Sequence, residues 1–450
     1  MSRSRSKLLT APIASLEIMW SRYGQRMLQV GIGLMVAAAL WRLRLQLPRS
    51  IWGEGKVGPV DLISRHREVE RWFDGLPVYG AITNGDYPPA SYAILWPWLS
   101  WLDRPAARWL WAFTSLLMLG WFGWISIRES RATTRWEKVF IFLMPFALYP
   151  ARMSIRFGQM AIHLMPPLVS GVLMMRSASV SGADATDDAI DKKLEQKPNL
   201  RQDLLAAALF VCSLVKPTLS APFFWLVCFM PGRWRPVLLV SFGYTALALL
   251  ATQFQEGNLL SLHIDWLSHA GTMLETLGHA SVHTWLEAID RSDWMLSASL
   301  LLFGAMGLWT AIYRRARPWV LLSVAAMVAR FWVDHQVFDD VLLWIPLIAL
   351  FRLTKLPLAG SVDQSMAQSI TQSIAQPLAA RTVRLVAAGL FALNWLALMT
   401  SAQFLMRYHP LSRIAVPMQT ALWIATLIFF LLLAHCDRHQ ASQPTPVSSP

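Results

Sequence analysis

The sequence predicts an all-α, polytopic membrane protein of about twelve transmembrane helices plus re-entrant or interfacial segments, each helical crossing needing about 20 mainly apolar residues. Three observations predict it. Of the 450 residues, 55% are hydrophobic and only 15% charged, with a mean hydropathy of +0.40, whereas soluble domains carry about 25% charged residues. Apolar runs recur along the chain, separated by short basic loops. Many of the 23 tryptophans, such as Trp96, Trp98, Trp101, Trp109 and Trp111, gather near the expected helix ends, where amphipathic rings favour the membrane interface.

The first crossing is expected at 27–44, followed by a polar and aromatic loop, 45–88. Segment 89–102 is apolar but short. As a helix it reaches about 21 Å against about 30 Å of hydrocarbon, so re-entrant or interfacial placement is favoured over a crossing. Crossings follow at 106–127, 138–152 and 159–176, then a polar stretch, 177–202. The apolar runs 203–215 and 218–231 are interrupted by Lys216-Pro217. One helix over both would be about 43 Å long, and Pro217 pushes Lys216 out of helical geometry, so two antiparallel halves are expected. Further crossings lie at 236–253, 294–313, 318–333, 338–351, 383–404 and 417–435. Residues 359–380 form a Ser/Gln-rich linker and 436–450 a disordered tail. Residues 1–435 read as a single membrane domain. Arg3, Arg5 and Lys7 precede no early apolar run or cleavage site, so no cleaved signal peptide is expected.

The formal charge is +13. Because its cations sit in short loops between apolar runs, they read as positive-inside bias and contact with anionic membrane lipids rather than nucleic-acid binding. Arg22 with Arg26, the 128–138 cluster, Arg233 with Arg235, Arg314 to Arg317, and Arg352 with Lys355 share the cytoplasm if 89–102 does not cross. The polar loops 177–202 and 353–382 then lie inside. Loops 45–88, 153–158, 254–293 and 333–340 lie outside. The expected location is the cell's inner (plasma) membrane, multi-pass, with the active site facing outside or the periplasm. Cys212, Cys228 and Cys436 lack metal-ligand spacing and suggest no disulfide framework.

Ionisable groups near membrane depth are costly and therefore point to function. Four places qualify. Asp61 begins an amphipathic stretch through Arg65, His66, Arg67, Glu68 and Arg71. It is a candidate general base for an acceptor hydroxyl, with helix capping or pairing to Arg65 as the plainer role. Tyr79, Asp86 and Tyr87 precede Pro88-Pro89 and suit either a sugar site or a rigid interfacial turn. Arg152, Arg156, Gly158-Gln159 and Lys216 offer cations for a lipid-linked phosphate, against snorkelling to the interface for Arg156. Asp334-His335-Gln336 with Asp339-Asp340, flanked by Arg330, suits a phosphate, a metal or equally a short solvated loop, and its spacing fits no standard zinc pattern. No phosphate-cradling glycine loop or hydrolase motif is present, and no stretch is long enough for a soluble nucleotide-binding domain.

In order, Asp61, Gly75-Leu76-Pro77-Val78-Tyr79, Tyr87-Pro88-Pro89, Phe157-Gly158-Gln159, Leu214-Val215-Lys216-Pro217 and Asp334-His335-Gln336 resemble glycosyltransferase family 87 (DUF2029). That family belongs to the wider C-type (GT-C) membrane glycosyltransferases. The likeness covers about residues 30–350. It departs at Met160 to His163, where the family's Asn after the Gly-Gln element is missing. The resemblance implies a GT-C-like fold and an inverting transfer of a hexose, often mannose, from a polyprenyl-phosphate donor to a lipid or glycan acceptor on the outer face. It implies Asp61 as general base and Arg156, Lys216 and His335 as donor-phosphate ligands. Gln159, Tyr79, Tyr87 and Asp86 would shape the sugar or acceptor site. No cofactor is implied; Asp339-Asp340 leaves a divalent metal compatible but not demanded. A transporter or lipid flippase is the runner-up, requiring a mid-membrane site between related halves; a non-catalytic assembly protein is third.

Overall fold

A computed structural model describes residues 3–81, 87–177, 199–272, 280–355, 377–400 and 409–441. Among them every regular element is helical. In chain order these are α1 (Arg3–Trp52), α2 (Val60–Phe73), α3 (Pro89–Leu99), α4 (Arg104–Glu129), α5 (Arg135–Ala147), α6 (Tyr149–Phe157), α7 (Ala161–Ser177), α8 (Leu200–Ser213) and α9 (Pro217–Cys228). There follow α10 (Arg235–Thr252), α11 (Leu259–Thr272), α12 (Val282–Glu287), α13 (Met295–Tyr313), α14 (Pro318–Phe331), α15 (Trp344–Thr354), α16 (Pro377–Thr400) and α17 (His409–Ala441). A 3-10 turn, Val337–Leu343, leads into α15.

Among the described residues six helices are long and apolar enough to cross a membrane: Gly24–Trp52, Arg104–Glu129, Arg235–Thr252, Ser292–Tyr313, Arg381–Thr400 and Ile414–Arg438. The pair α5 and α6, bent by 41°, makes a seventh if it is one broken span. The remaining apolar helices are shorter, among them Ala161–Arg176, Pro217–Cys228 and Pro318–Phe331. At 1.5 Å per residue, α9 reaches only about 18 Å. Helix length alone therefore does not carry a count of twelve.

Local chemistry explains the breaks. Leu148 is extended between α5 and α6, and Pro150 lies in the first turn of α6, where its missing N–H is tolerated. Arg42 of α1 spans the break, donating to the carbonyl of Ala147 and to that of Met399 at 2.7 Å. Carbonyls at a helix end need such donors. Lys216 is non-helical, with φ −122° and ψ 84°, as the residue before Pro217. The 203–231 region is thus two helices, as the proline requires. Segment 89–102 becomes α3, about 16 Å long; it packs on α2 and α10. The last helix extends to Ala441, six residues into the stretch expected to be a disordered tail. Asp437 accounts for this, because Arg317 pairs with its carboxylate at 3.0 Å. Residues 442–450 and most of loops 177–202 and 353–382 lie outside the described residues.

The basic loops meet in one layer. Lys355 pairs with Glu137, and Arg352 and Trp319 both reach Glu129. Arg176 donates to the carbonyl of Arg314 at 2.7 Å. Arg233 donates to that of Met175 at 2.7 Å and pairs with Asp203. The short helices α7, α8, α9, α14 and α15 each have one end at this layer. Their other ends converge on Gln159, Lys216 and the 332–343 turn. This convergence places the candidate residues together.

Candidate functional site

The site begins where α6 ends. Gly158 is left-handed, with φ +72°, a conformation that disfavours any side chain. It is also pressed against the start of α2: a Cβ there would lie 2.5 Å from Leu62 Cβ and 3.2 Å from Pro59 Cβ. The turn brings Gln159 Nε2 to 2.6 Å from Asp61 Oδ2, where it donates to the carboxylate. The expected Asp61 and Gly-Gln elements, 98 residues apart, therefore form one unit. Asp61 is half-buried in the first turn of α2, one position after Val60, and the helix's N-cap position is Pro59. Arg65, its expected plain partner, pairs with Glu68 at 2.6 Å. Glu68 is fully buried, so this pair is a built feature of the interior.

Across from Asp61 stands a second ionic group. Lys216 Nζ lies 2.7 Å from Asp339 Oδ1. Asp339 Oδ2 lies 3.2 Å from His335 Nδ1, and His335 Nε2 is 2.7 Å from the carbonyl of Ala329. Burial pushes the Asp339 carboxyl up, but the Lys216 ammonium and the His335 bond outweigh it and hold the group well below the ordinary carboxylate range. Burial lowers His335, with Asp339 opposing only in part, so the ring is neutral near pH 7. A neutral ring presenting Nε2–H to the Ala329 carbonyl leaves Nδ1 without a proton to offer Asp339; the reverse tautomer bonds the carboxylate and leaves the carbonyl unmatched. Beside this group, Arg330 pairs with Asp340 at 2.5 Å and covers the Trp423 ring. Asp334 accepts from Ser281, which ties the 254–293 segment to the same turn. Among the described residues no group of three or more His, Cys, Asp or Glu is arranged to hold a metal ion.

The two groups are linked by a closed circuit of contacts. Phe157, next to Gly158, meets the Phe338 ring with centroids 6.1 Å apart, and Lys216 lies 5.3 Å from that ring. Ser154 of α6 donates to the carbonyl of Phe338 at 3.2 Å. Ser91 of α3 donates to the carbonyl of Val215, beside Lys216, at 2.7 Å. Tyr92 stacks on Trp72 of α2 at 4.4 Å, which returns the circuit to the helix carrying Asp61. Tyr79 donates to the carbonyl of Tyr87 at 2.8 Å, and the Arg65 guanidinium covers one face of the buried Tyr87 ring at 4.2 Å. Asp86 lies outside the described residues.

Arg156 belongs to a different set of charges from Lys216 and His335. It lies one turn beyond Arg152 on α6, and both Arg156 and Arg49 of α1 act electrostatically on Arg152. Arg152 reaches Gln46 at 3.1 Å when the Gln46 amide oxygen faces it. The sequence offered Arg152 as a cation for a lipid-linked phosphate and Asp339 as part of a phosphate or metal site, but gave no sign that Asp339 pairs with Lys216. It named Glu68 only within the amphipathic stretch after Asp61 and gave no sign of Arg49 as a site residue.

A family description for glycosyltransferase family 87 matches residues 86–346. No curated protein and no solved structure matches the chain. The matched stretch covers the Gly158-Gln159 turn, Lys216-Pro217 and the Asp334 to Asp340 turn, and it stops short of Asp61 on the N-terminal side. This membrane chain, with its helices gathered on those three turns, belongs to glycosyltransferase family 87.

Proposed function

We propose that the chain transfers a hexose, mannose by family resemblance, from a polyprenyl-phosphate donor to a lipid or glycan acceptor on the outer face of the inner membrane, inverting the anomeric centre. The short helices complete about twelve crossings in this reading, several ending at the recessed site, within a GT-C-like arrangement. The observation that carries it is the half-buried Asp61 carboxylate, held at 2.6 Å by Gln159, which follows Arg156 at the end of α6.

In the step, Asp61 takes the proton from the acceptor hydroxyl as that oxygen bonds to the anomeric carbon. The bond from that carbon to the phosphate oxygen breaks, and the lipid phosphate leaves with the electron pair. Developing charge on that phosphate needs cations held in place beforehand. Arg156, with Arg152 one turn before it and Arg49 acting on Arg152, supplies them, and among the described residues Arg156 has no carboxylate partner, while Lys216 and His335 act through Asp339 beside Phe338. Guanidinium groups suit phosphate oxygens through paired donors.

The test is incubation of the purified protein with polyprenyl-phosphate sugars and membrane lipid extract, followed by mass spectrometry. A new hexosylated product made by the wild type and absent with Asp61→Asn supports the proposal. Product formation by a well-folded Asp61→Asn protein at the wild-type rate overturns it.

A further inference from the structure

The basic layer contains a groove unrelated to the Asp61 site. It has a volume of about 410 Å³ and is lined by Ile127 of α4 and by Arg135, Lys138, Val139, Phe142 and Leu143 of α5. Arg135 and Lys138 are exposed, and neither has a carboxylate partner among the described residues. The carboxylate nearest in sequence, Glu137, is engaged elsewhere: it pairs with Lys355 and accepts from the Thr133 N–H at 2.9 Å. Glu129, at the end of α4, is likewise held by Arg352 and Trp319.

The apolar lining continues the two cations along α5. From Arg135 to Phe142 the helix rises about 10 Å, passing Lys138 and Val139 on the way. Ile127, Val139, Phe142 and Leu143 are all half-exposed, so the groove presents an apolar wall under a charged rim. The crossing that shapes it is close. A Cβ on Gly123 would lie 2.8 Å from the carbonyl oxygen of Phe142, so α4 and α5 meet backbone to backbone one turn from Ile127 and leave room beside it.

We propose that this groove binds one anionic phospholipid of the cytoplasmic leaflet, its phosphate between Arg135 and Lys138 and an acyl chain along Val139, Phe142 and Leu143. Charge complementarity selects the occupant: two unpaired cations sit over hydrocarbon-facing side chains in a chain whose basic loops gather at this end. A zwitterionic lipid offers the same acyl contacts but carries a compensating cation of its own. Anionic lipid near a membrane surface gains from each basic residue it meets.

The test is native mass spectrometry of the full-length protein, loaded in detergent with phosphatidylglycerol or phosphatidylcholine of matched acyl chains. Wild type is expected to retain phosphatidylglycerol preferentially, and Arg135→Gln with Lys138→Gln to reduce that retention about tenfold. Arg135→Lys with Lys138→Arg keeps both charges and is expected to keep the lipid. Arg128→Gln with Arg201→Gln removes two exposed charges outside the groove and is expected to change little. Thermal unfolding in phosphatidylcholine confirms that each variant is folded. Equal retention of the two lipids by wild type, or an equal loss in the Arg128 and Arg201 variant, or no loss in the Arg135 and Lys138 variant, overturns the proposal.

Discussion

Lys216 and Asp61 are both ionic side chains of the proposed site, yet their substitution should have different signatures. Removing the Lys216 ammonium leaves Asp339, 3% exposed, without its cation. Breaking one side of a buried pair costs about 3–5 kcal/mol. Lys216→Ala is therefore expected to lower stability by that order, and Asp339→Asn in the same chain to recover most of it, because no bare charge remains. Thermal unfolding of the two single variants and the double variant measures this coupling; additive losses would show that the pair is not a unit. Asp61→Asn leaves the Gln159 contact possible in shape and removes only the base. Its expected outcome is an unchanged unfolding midpoint with transfer reduced about 10²- to 10⁴-fold, the range of general-base catalysis. A variant that unfolds several degrees earlier and loses activity only in proportion would make Asp61 structural.

Between elements, the most constrained joint is α6 against α2. Two independent constraints meet at Gly158: a left-handed backbone and a 2.5 Å approach to Leu62. Gly158→Ala must shift α2 relative to α6 or strain the turn, at a cost of about 1–3 kcal/mol. Transfer is expected to fall more than stability, since the same shift moves Gln159 off Asp61. Comparing initial rates with unfolding midpoints decides this, and wild-type rates in Gly158→Ala would show that the joint tolerates movement. Much of this level was legible in the sequence. Proline and charge placed the break at Lys216, the hydropathy runs placed the long helices, and the ordered motifs singled out Asp61, Gln159 and Lys216. What escaped was pairing at long range. Lys216 and Asp339 are 123 residues apart, and no periodicity links them. The bend at Leu148 escaped because the apolar run of α5 continues through Leu148, Pro150 and Ala151, so hydropathy alone shows no break there. The count of crossings was similarly obscured, because apolar character does not reveal where a helix stops short.

The whole molecule sorts its charges by end. Arg352 and Lys355 meet Glu129 and Glu137, Arg317 meets Asp437, and Arg233 meets Asp203; all of these lie at one ends-layer of the helices. Asp61, Gln159, Lys216 and Asp339 lie at the other ends of α5–α6, α7, α9 and α14. Basic loops favour the cytoplasm, so the proposed function, with its outward-facing site, predicts that the basic layer lies inside. The separation is measurable without knowing the substrate. Cys212, Cys228 and Cys436 are all unpaired and can be replaced by serine, after which Asp74→Cys and Arg315→Cys each supply a single exposed thiol. A membrane-impermeant maleimide added to intact cells is expected to label Asp74→Cys and not Arg315→Cys, with both labelled once the membrane is opened. Labelling of Arg315→Cys alone would invert the protein and place the site in the cytoplasm, where a polyprenyl-phosphate donor would have to face inward. Labelling of both from outside would break the single basic layer on which the orientation rests, since α13 and α14 on either side of Arg315 could then no longer return to the same membrane face as the 128–138 loop.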